Sequence, residues 1–300
     1  NINQMSVSLK IDKSACTQCG KCVKVCPSGV LLKLDRGSVP QVDNIGFCIG
    51  CGHCAAVCPN GSIVHSLFPK EKIHAIDRAT MPSPEQVMLL CKARRSNRSF
   101  TDKPVPFEYL DMILKAAHRA PTGGNLQQVG FTLVTDPVKL RYLVEITMNV
   151  FGRMIKKLQN PLLKPLLSKL MPNTYKSLPL FISMQEAMNN GSDPILRGAT
   201  ALILIHTPES DRFGIENSNI AYQNGSLMAE SLNVSQVYTG FLNMAARQDK
   251  RIMKYLRIKG KIHAGMALGM PKFIYPNYID KKEINLNTVS YTHLTLPTIA

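Results

Sequence analysis

Cys16-Thr17-Gln18-Cys19-Gly20-Lys21-Cys22-Val23-Lys24-Val25-Cys26-Pro27 returns thirty-two residues later as Cys48-Ile49-Gly50-Cys51-Gly52-His53-Cys54-Ala55-Ala56-Val57-Cys58-Pro59. This doubled C-x2-C-x2-C-x3-C-P run decides how the first part of the chain folds. Three closely spaced thiolates wrap one loop around a small inorganic core, and the fourth must arrive from elsewhere. The x2 spacings demand tight turns, which Gly20, Gly50 and Gly52 permit. Two zinc sites or a disulfide framework are the alternatives. Zinc prefers paired C-x-x-C units, often with His, and Asn1–Met5 does not read as a secretory leader. Iron–sulfur clusters in a reducing cytoplasm are therefore the better reading.

Each copy is preceded by a strand-like segment, Leu9-Lys10-Ile11 or Pro40-Gln41-Val42. Each is followed by another, Val30-Leu31-Leu32 or Ser62-Ile63-Val64. Residues 1–75 thus read as two halves of strand, cluster loop, short helix and strand, too small to hold together without inorganic clusters. His53 reads as a solvated loop residue. Residues 76–84 form a linker ending in Met81-Pro82-Ser83-Pro84. Ser83 is an expected N-cap, with Pro84 at the first helical position and Gln86 three residues on. The helix that follows carries Val87, Leu90, Cys91 and Arg94 on one side, with Cys91 expected as a buried structural thiol.

A second helix starts at Pro106 and places Leu110, Ile113, Leu114 and Ala117 at helical spacing before Pro121 stops it. Strands are expected at 129–135, 201–205, 234–238 and 263–268, and helices after Asp136-Pro137, over 219–232 and, strongly basic, over 242–256. Ala201-Leu202-Ile203-Leu204-Ile205 is apolar throughout, as in a strand buried on both faces. The body over 85–287 is therefore α/β or α+β. The uncharged residues 288–300 fit no preceding element and are expected to be a non-native tail.

Apolar residues are 45% of the 300, which excludes a disordered chain. No run of eighteen apolar residues suggests a transmembrane helix. The formal charge of +16 points to an acidic partner. Trp is absent and no aromatic-interleaved basic patch exists, which argues against nucleic acid. Between Ile146 and Gln185 lie six basic residues and no acidic one. They read as a solvated cap, with docking of an acidic carrier or anionic lipid as the second reading.

No G-x-G-x-x-G or G-x-x-x-x-G-K-[ST] is present, so neither dinucleotide fingerprint nor P-loop is supported. The first body helix instead ends in Arg94-Arg95-Ser96-Asn97-Arg98-Ser99-Phe100. In an extended chain Arg94, Ser96 and Arg98 point one way and can grip a phosphate. Ala120-Pro121-Thr122-Gly123-Gly124-Asn125-Leu126-Gln127 is a small-residue loop that lets backbone approach a flat ligand. No Ser-His-Asp set or carboxylate pair is placed for catalysis.

The first sixty residues resemble a bacterial two-[4Fe-4S] ferredoxin. That resemblance implies one cluster on Cys16, Cys19, Cys22 and Cys58 and another on Cys48, Cys51, Cys54 and Cys26, the fourth cysteine of each run serving the other cluster. From about Glu85 to Asn287 the chain resembles the FMN-dependent nitroreductases. The matching pieces are the Arg94–Phe100 run, Pro104-Val105, the Ala120–Gln127 loop, Asp193–Ala199, Thr239-Gly240-Phe241 and Ala267–Lys272. Departures fall at Gln128, Thr200 and Leu232-Asn233-Val234. As a whole the chain looks like the ferredoxin-fused members of that family. The resemblance implies an α+β fold and a homodimer with an FMN at each subunit interface. Arg94, Arg95, Ser96 and Arg98 are then expected on the phosphate and ribityl chain. Pro121, Thr122, Gly123, Asn125 and Gln127 are expected around the ribityl chain and ring edge. Thr239 and Gly240 would face flavin N5, and Lys281 or Lys282 would complete the phosphate site. The chemistry resides on FMN, so no protein residue is assigned as catalytic. The implied activity is reduction of nitro, quinone or enone-type acceptors, with electrons from NAD(P)H or from a carrier such as ferredoxin or flavodoxin. The alternative is a non-catalytic redox relay or sensor passing electrons to a protein partner.

Overall fold

Residues 7–33, 35 and 37–287 are described in a computed structural model. The expected tail at 288–300 lies outside them. In the head, β1 (Leu9–Ile11) pairs antiparallel with β4 (Ile63–His65), and β2 (Leu31–Leu32) with β3 (Gln41–Val42). Between them sit the short helices α1 (Lys21–Lys24) and α2 (His53–Val57). The sequence repeat is a backbone repeat. Gln18 and Gly50 have φ 57° and 60°, and Gly20 and Gly52, each opening its helix, have φ 67° and 72°. Left-handed residues at these matched positions turn each loop inward, and Gln18 adopts the conformation without glycine's freedom. The head's core is small: Leu9, Val30, Leu31, Ala55 and Ile63, with Cys22.

The helix α3 (Pro84–Ala93) opens with the expected capping box: Gln86 N donates to Ser83 Oγ, and Ser83 N to Gln86 Oε1. It buries none of its residues. The expectation of a buried Cys91 is corrected: the thiol is exposed. The helix over 214–231 packs against part of α3, leaving Leu90 half-buried, but Cys91 lies outside the contact. In α4 (Phe107–His118), Leu110, Ile113 and Ala117 are buried as the spacing requires.

The body sheet contains β5 (Gly130–Val134), β6 (Ala201–Thr207), β7 (Ser235–Tyr238) and β8 (Lys261–Gly269) in the order β5-β6-β8-β7, every pair antiparallel. An antiparallel sheet covered by helices makes the fold α+β. Alternation along β6 builds a core on each face. Leu202 and Leu204 join α5 (Pro137–Gln159), while Ala201, Ile203 and Ile205 join α4 and the long helix over 214–231.

After α5 come α6 (Lys164–Leu170), α7 (Pro172–Lys176) and α8 (Leu178–Asn189). Next is α9 (Gly214–Ser231), which starts five residues before the sequence suggests. The expected single helix over 242–256 is two, α10 (Gly240–Gln248) and α11 (Lys250–Tyr255). Asp249 breaks the helix: at φ −131° and ψ 102° it caps α11 by accepting from Arg251 N, and it binds the guanidiniums of Arg153 and Arg251. Among the described residues no helix is long and apolar enough to cross a membrane.

Candidate functional site

Seven of the eight head thiols fall into two groups. Burial raises the Cys22 thiol, and the neighbours that raise it further are Cys58 and Cys16. Burial pushes Cys54 up to about 11, with Cys51, Cys48 and Cys26 as its charged neighbours. Each group therefore draws one cysteine from the other run. Cys26, Cys48, Cys51 and Cys54 line one small cavity. Among the described residues, no three His, Cys, Asp or Glu side chains are gathered to hold a single metal ion. Four thiols lining one cavity are the donor set that a four-iron cluster needs.

Several sulfurs accept hydrogen bonds, and the two halves differ here. Cys16 Sγ accepts from Gln18 N at 3.4 Å. Cys58 Sγ takes Ser62 N at 3.3 Å and Ser62 Oγ at 3.1 Å. Burial raises the Cys58 thiol, but the Ser62 bonds outweigh it and the net shift is downward. Cys48 Sγ lies 3.6 Å from His65 Nε2. Because His65 Nδ1 accepts from Leu67 N at 3.1 Å, Nε2 carries the hydrogen and donates to the sulfur. Burial holds the His65 pKa below the usual imidazole value, so the ring is neutral at pH 7. Sequence reading missed both Ser62 and His65. The signal was available in the repeat, because their counterparts thirty-two residues earlier are Val30 and Lys33.

In the body, α3 ends at Arg94, which turns extended, and Ser96 forms a parallel bridge to Gln236 of β7. Alternation then separates the run. On one side the Asn97 amide donates to Ser235 Oγ at 2.7 Å and to Phe273 O at 3.2 Å. On that side too, Arg95 donates to Asn277 O at 3.1 Å and lies 4.2 Å from the Tyr275 ring. Its guanidinium serves the C-terminal segment rather than the side shared by Arg94, Ser96 and Arg98. Arg94 acts electrostatically on Tyr222, both Arg94 and Arg95 act on Glu230, and Arg98 donates to Ser96 O at 3.3 Å. Gln236 is the hub beneath this run. It accepts from Tyr222 OH at 2.5 Å and donates to Arg95 O at 3.2 Å. Burial pushes the Tyr222 phenol up to about 12, so it remains a donor. Neither Gln236 nor Tyr222 carries a sequence motif.

β7 is an edge strand, and it leads from Ser96 at one end to Thr239 and Gly240 at the other. Thr239 N donates to Gly265 O, and its hydroxyl to Asn243 Oδ1, fixing the turn into α10. Phe241, the next residue after Gly240, meets Phe181 of α8 edge-on and Phe151 of α5 likewise. The basic 146–185 segment is thereby anchored beside Thr239–Gly240. Its Leu162, Leu166 and Leu170 remain exposed.

The Pro121–Gln127 loop lies elsewhere. Gly123 N donates to Asn217 Oδ1 at 3.0 Å, whereas Tyr238 OH donates to Asn219 Oδ1 at 3.3 Å. Residues two apart on a helix are turned by about 200°, so the loop and the end of β7 flank opposite sides of α9. A side chain on Gly123 would run into Phe213. Gln127 N donates to Thr122 Oγ1 at 3.0 Å. The Asn125 amide donates to Ile49 O and Gly50 O of the head, at 3.1 and 2.8 Å. Lys281 and Lys282 are exposed beyond Tyr278. One chain therefore brings Arg94, Ser96, Thr239 and Gly240 together along β7, and it does not bring Pro121–Gln127 to them.

A family model described as the nitroreductase family matches residues 91–270, more than half of the chain, and one described as a 4Fe-4S dicluster domain matches residues 8–59. The curated relative iodotyrosine deiodinase 1 of Rattus norvegicus is 36% identical over 84 residues, 27% of this chain and 27% of that protein. The match thus spans about a quarter of that relative. Among solved structures, a nitroreductase with bound FMN from Bacteroides fragilis is 21% identical over 69% of this chain and 99% of its own, at TM-score 0.51. One with bound FMN from Desulfitobacterium hafniense is 17% identical over 68% and 97%, at TM-score 0.53. These two show that the body has their fold.

Proposed function

The chain belongs to the nitroreductase family, and from that premise we propose that it is an FMN-dependent oxidoreductase fed through two [4Fe-4S] clusters. The observation that carries this reading is the edge of β7. A run with Arg94, Ser96 and Arg98 on one side starts there, and the strand ends at Thr239–Gly240. Two guanidiniums and a hydroxyl suit a dianionic phosphate. Backbone N–H groups at the Gly240 end suit a ring that gains negative charge on reduction. FMN, when bound, supplies two-electron reduction of the acceptor. The chain's own part is to bind the phosphate, orient the ring along β7 and shield it with the aromatic-anchored 146–185 segment. Lys281 and Lys282 remain candidates for closing the phosphate site.

Pro121–Gln127 sits across α9 from β7, and this supports a homodimer in which the loop of one protomer completes the flavin site of its partner. The bare apolar residues of α3 support the same assembly: Val87, Met88 and Leu89 are 46%, 56% and 59% exposed. In the head, Cys16, Cys19, Cys22 and Cys58 hold one cluster and Cys26, Cys48, Cys51 and Cys54 the other. The units are residues 1–75 and 85–287, joined by 76–84. The acceptors are nitro, quinone or enone-type molecules. The donor is NAD(P)H or an acidic one-electron carrier, for which the basic surface is suited, and the location is cytoplasmic.

Anaerobic purification with iron, sulfide and flavin quantitation tests the cofactors, with about eight irons and one FMN expected per chain. Turnover of a nitroaromatic with reduced ferredoxin or NAD(P)H tests the activity. Two zincs and no iron, or full cofactors with no turnover from either donor, would overturn the respective halves of the reading.

A further inference from the structure

The two cluster loops are built alike but bonded differently. Gln18 and Gly50 occupy matched positions with matched left-handed φ. The Gln18 carbonyl is satisfied inside the head, by Lys33 Nζ at 2.7 Å. The Gly50 carbonyl is satisfied from the body, by Asn125 Nδ2 at 2.8 Å, and the same amide reaches Ile49 O at 3.1 Å. The lysine that caps the first loop has no counterpart in the second. At that position stands His65, which turns to Cys48 Sγ. The second loop's carbonyls are thus left for an outside donor, and Asn125 is that donor. It is itself held at φ 55°, between Gly124 at 58° and Gln127 at 50°. Asparagine tolerates the left-handed backbone that this turn requires.

Asn125 belongs to the loop expected at the flavin. We propose that Asn125 is a positioning residue that docks the Cys48–Cys51 loop onto the Thr122–Gln127 loop, making the cluster on Cys26, Cys48, Cys51 and Cys54 the inner one and that on Cys16, Cys19, Cys22 and Cys58 the outer one. This rests on the two-cluster and flavin reading above and adds an order to it. With both groups bound, each passage would oxidise the inner cluster by one electron and reduce the flavin by one. Two passages, drawn from an external one-electron carrier of the ferredoxin or flavodoxin class through the outer cluster, supply the pair the acceptor consumes. The Gln18 carbonyl of the first loop is closed within the head, and among the described residues that loop carries no such tether to the body.

The test uses the full-length, anaerobically loaded protein and the variant Asn125→Asp. Aspartate keeps the size and the tolerance of left-handed φ but replaces the donor by an oxygen facing two carbonyl oxygens. Hydrogen–deuterium exchange over 47–52 and 122–127 is expected to accelerate about tenfold or more, as two hydrogen bonds that hold a local unit shut are lost. Exchange over 16–22 should not change, and iron content should stay at the wild-type level. Lys33→Ala should give the reverse pattern, loosening 16–22 and leaving 47–52 protected. A second arm measures relaxation of the one-electron-reduced flavin's paramagnetic signal by a reduced cluster. It should persist in Cys16→Ser, which removes the outer cluster, and vanish in Cys51→Ser, which removes the inner one.

Unchanged exchange at 47–52 in Asn125→Asp, or relaxation that survives Cys51→Ser but not Cys16→Ser, would each overturn the proposal. Wild-type protein without iron or flavin would instead bring down the functional reading beneath it, and the exchange data would still report whether the two loops dock.

Discussion

Replacing His65 by Phe should lower the reduction potential of one cluster and leave the other unchanged. His65 is 3% exposed, its Nε2–H points at Cys48 Sγ at 3.6 Å, and its ring lies 4.8 Å from Phe68. Phe keeps the ring contact and most of the volume while removing the donor. A donor to a ligand sulfur favours the state in which the cluster carries more negative charge, so it raises the potential. A net hydrogen bond contributes about 0.5–1.5 kcal/mol, and only its change between oxidation states counts, so about 0.5–1 kcal/mol is at stake. With 59 mV corresponding to about 1.4 kcal/mol for one electron, the expected fall is roughly 20–40 mV. The long N···S distance favours the lower end. An anaerobic potentiometric titration followed by electron paramagnetic resonance reads both clusters in one sample. The cluster on Cys16, Cys19, Cys22 and Cys58 is the internal control, because its sulfur bonds come from Gln18 and Ser62. Equal shifts in both clusters, or no shift with full iron content, would refute the reasoning.

Arg94→Ala or Arg98→Ala should weaken FMN binding by about ten- to hundredfold, since a charge-assisted phosphate bond contributes roughly 1.5–3 kcal/mol. Iron content should be unaffected, and unchanged flavin affinity in both variants would put the phosphate elsewhere. Cys26→Ala should abolish the cluster of the second run, and Cys58→Ala that of the first. Iron counts and spectra that track the run instead of the crossing would contradict the grouping seen around Cys22 and Cys54. Asp249→Asn should cost about 1–2 kcal/mol at pH 7, combining a weakened helix cap with two partly exposed guanidinium bonds discounted for solvent. Hydrogen bonds from Arg251 first and Arg153 next hold the Asp249 carboxyl below the usual carboxylate range. A lowered folded pKa stabilises above the unfolded value near 4 and is lost as pH falls below it. The gap in melting temperature between wild type and variant should therefore close between about pH 4 and pH 2, and a gap that widens there would reverse the sign.

What could be read from sequence followed a simple physical division. Ser83 and Gln86 are local, and their capping box needs only four residues of chain. Ala201–Ile205 is apolar on both faces because two cores need it, so composition alone announces double burial. The cysteine runs are legible because cluster geometry permits few spacings. Asp249 was missed because its role depends on Arg153, ninety-six residues away, and nothing in a basic amphipathic pattern marks where it breaks. Cys91 was misjudged because an apolar helix side shows that something should cover it, not how much of it the neighbouring α9 reaches.

His65 and Asn125 are harder cases of different kinds. His65 became readable once the halves were laid over each other, since Lys33, Val30 and Gln18 against His65, Ser62 and Gly50 are the places where the repeat stops repeating. A duplicated unit keeps its geometry through matched turns, so its mismatches mark where the copies diverged in duty. Asn125 has no such internal reference. Its loop reads from composition as facing a flat ligand, which the family resemblance makes a flavin, yet its amide is spent on two carbonyls of the head. A side chain at a boundary between fused units answers to both, and only the geometry shows which of the two it serves.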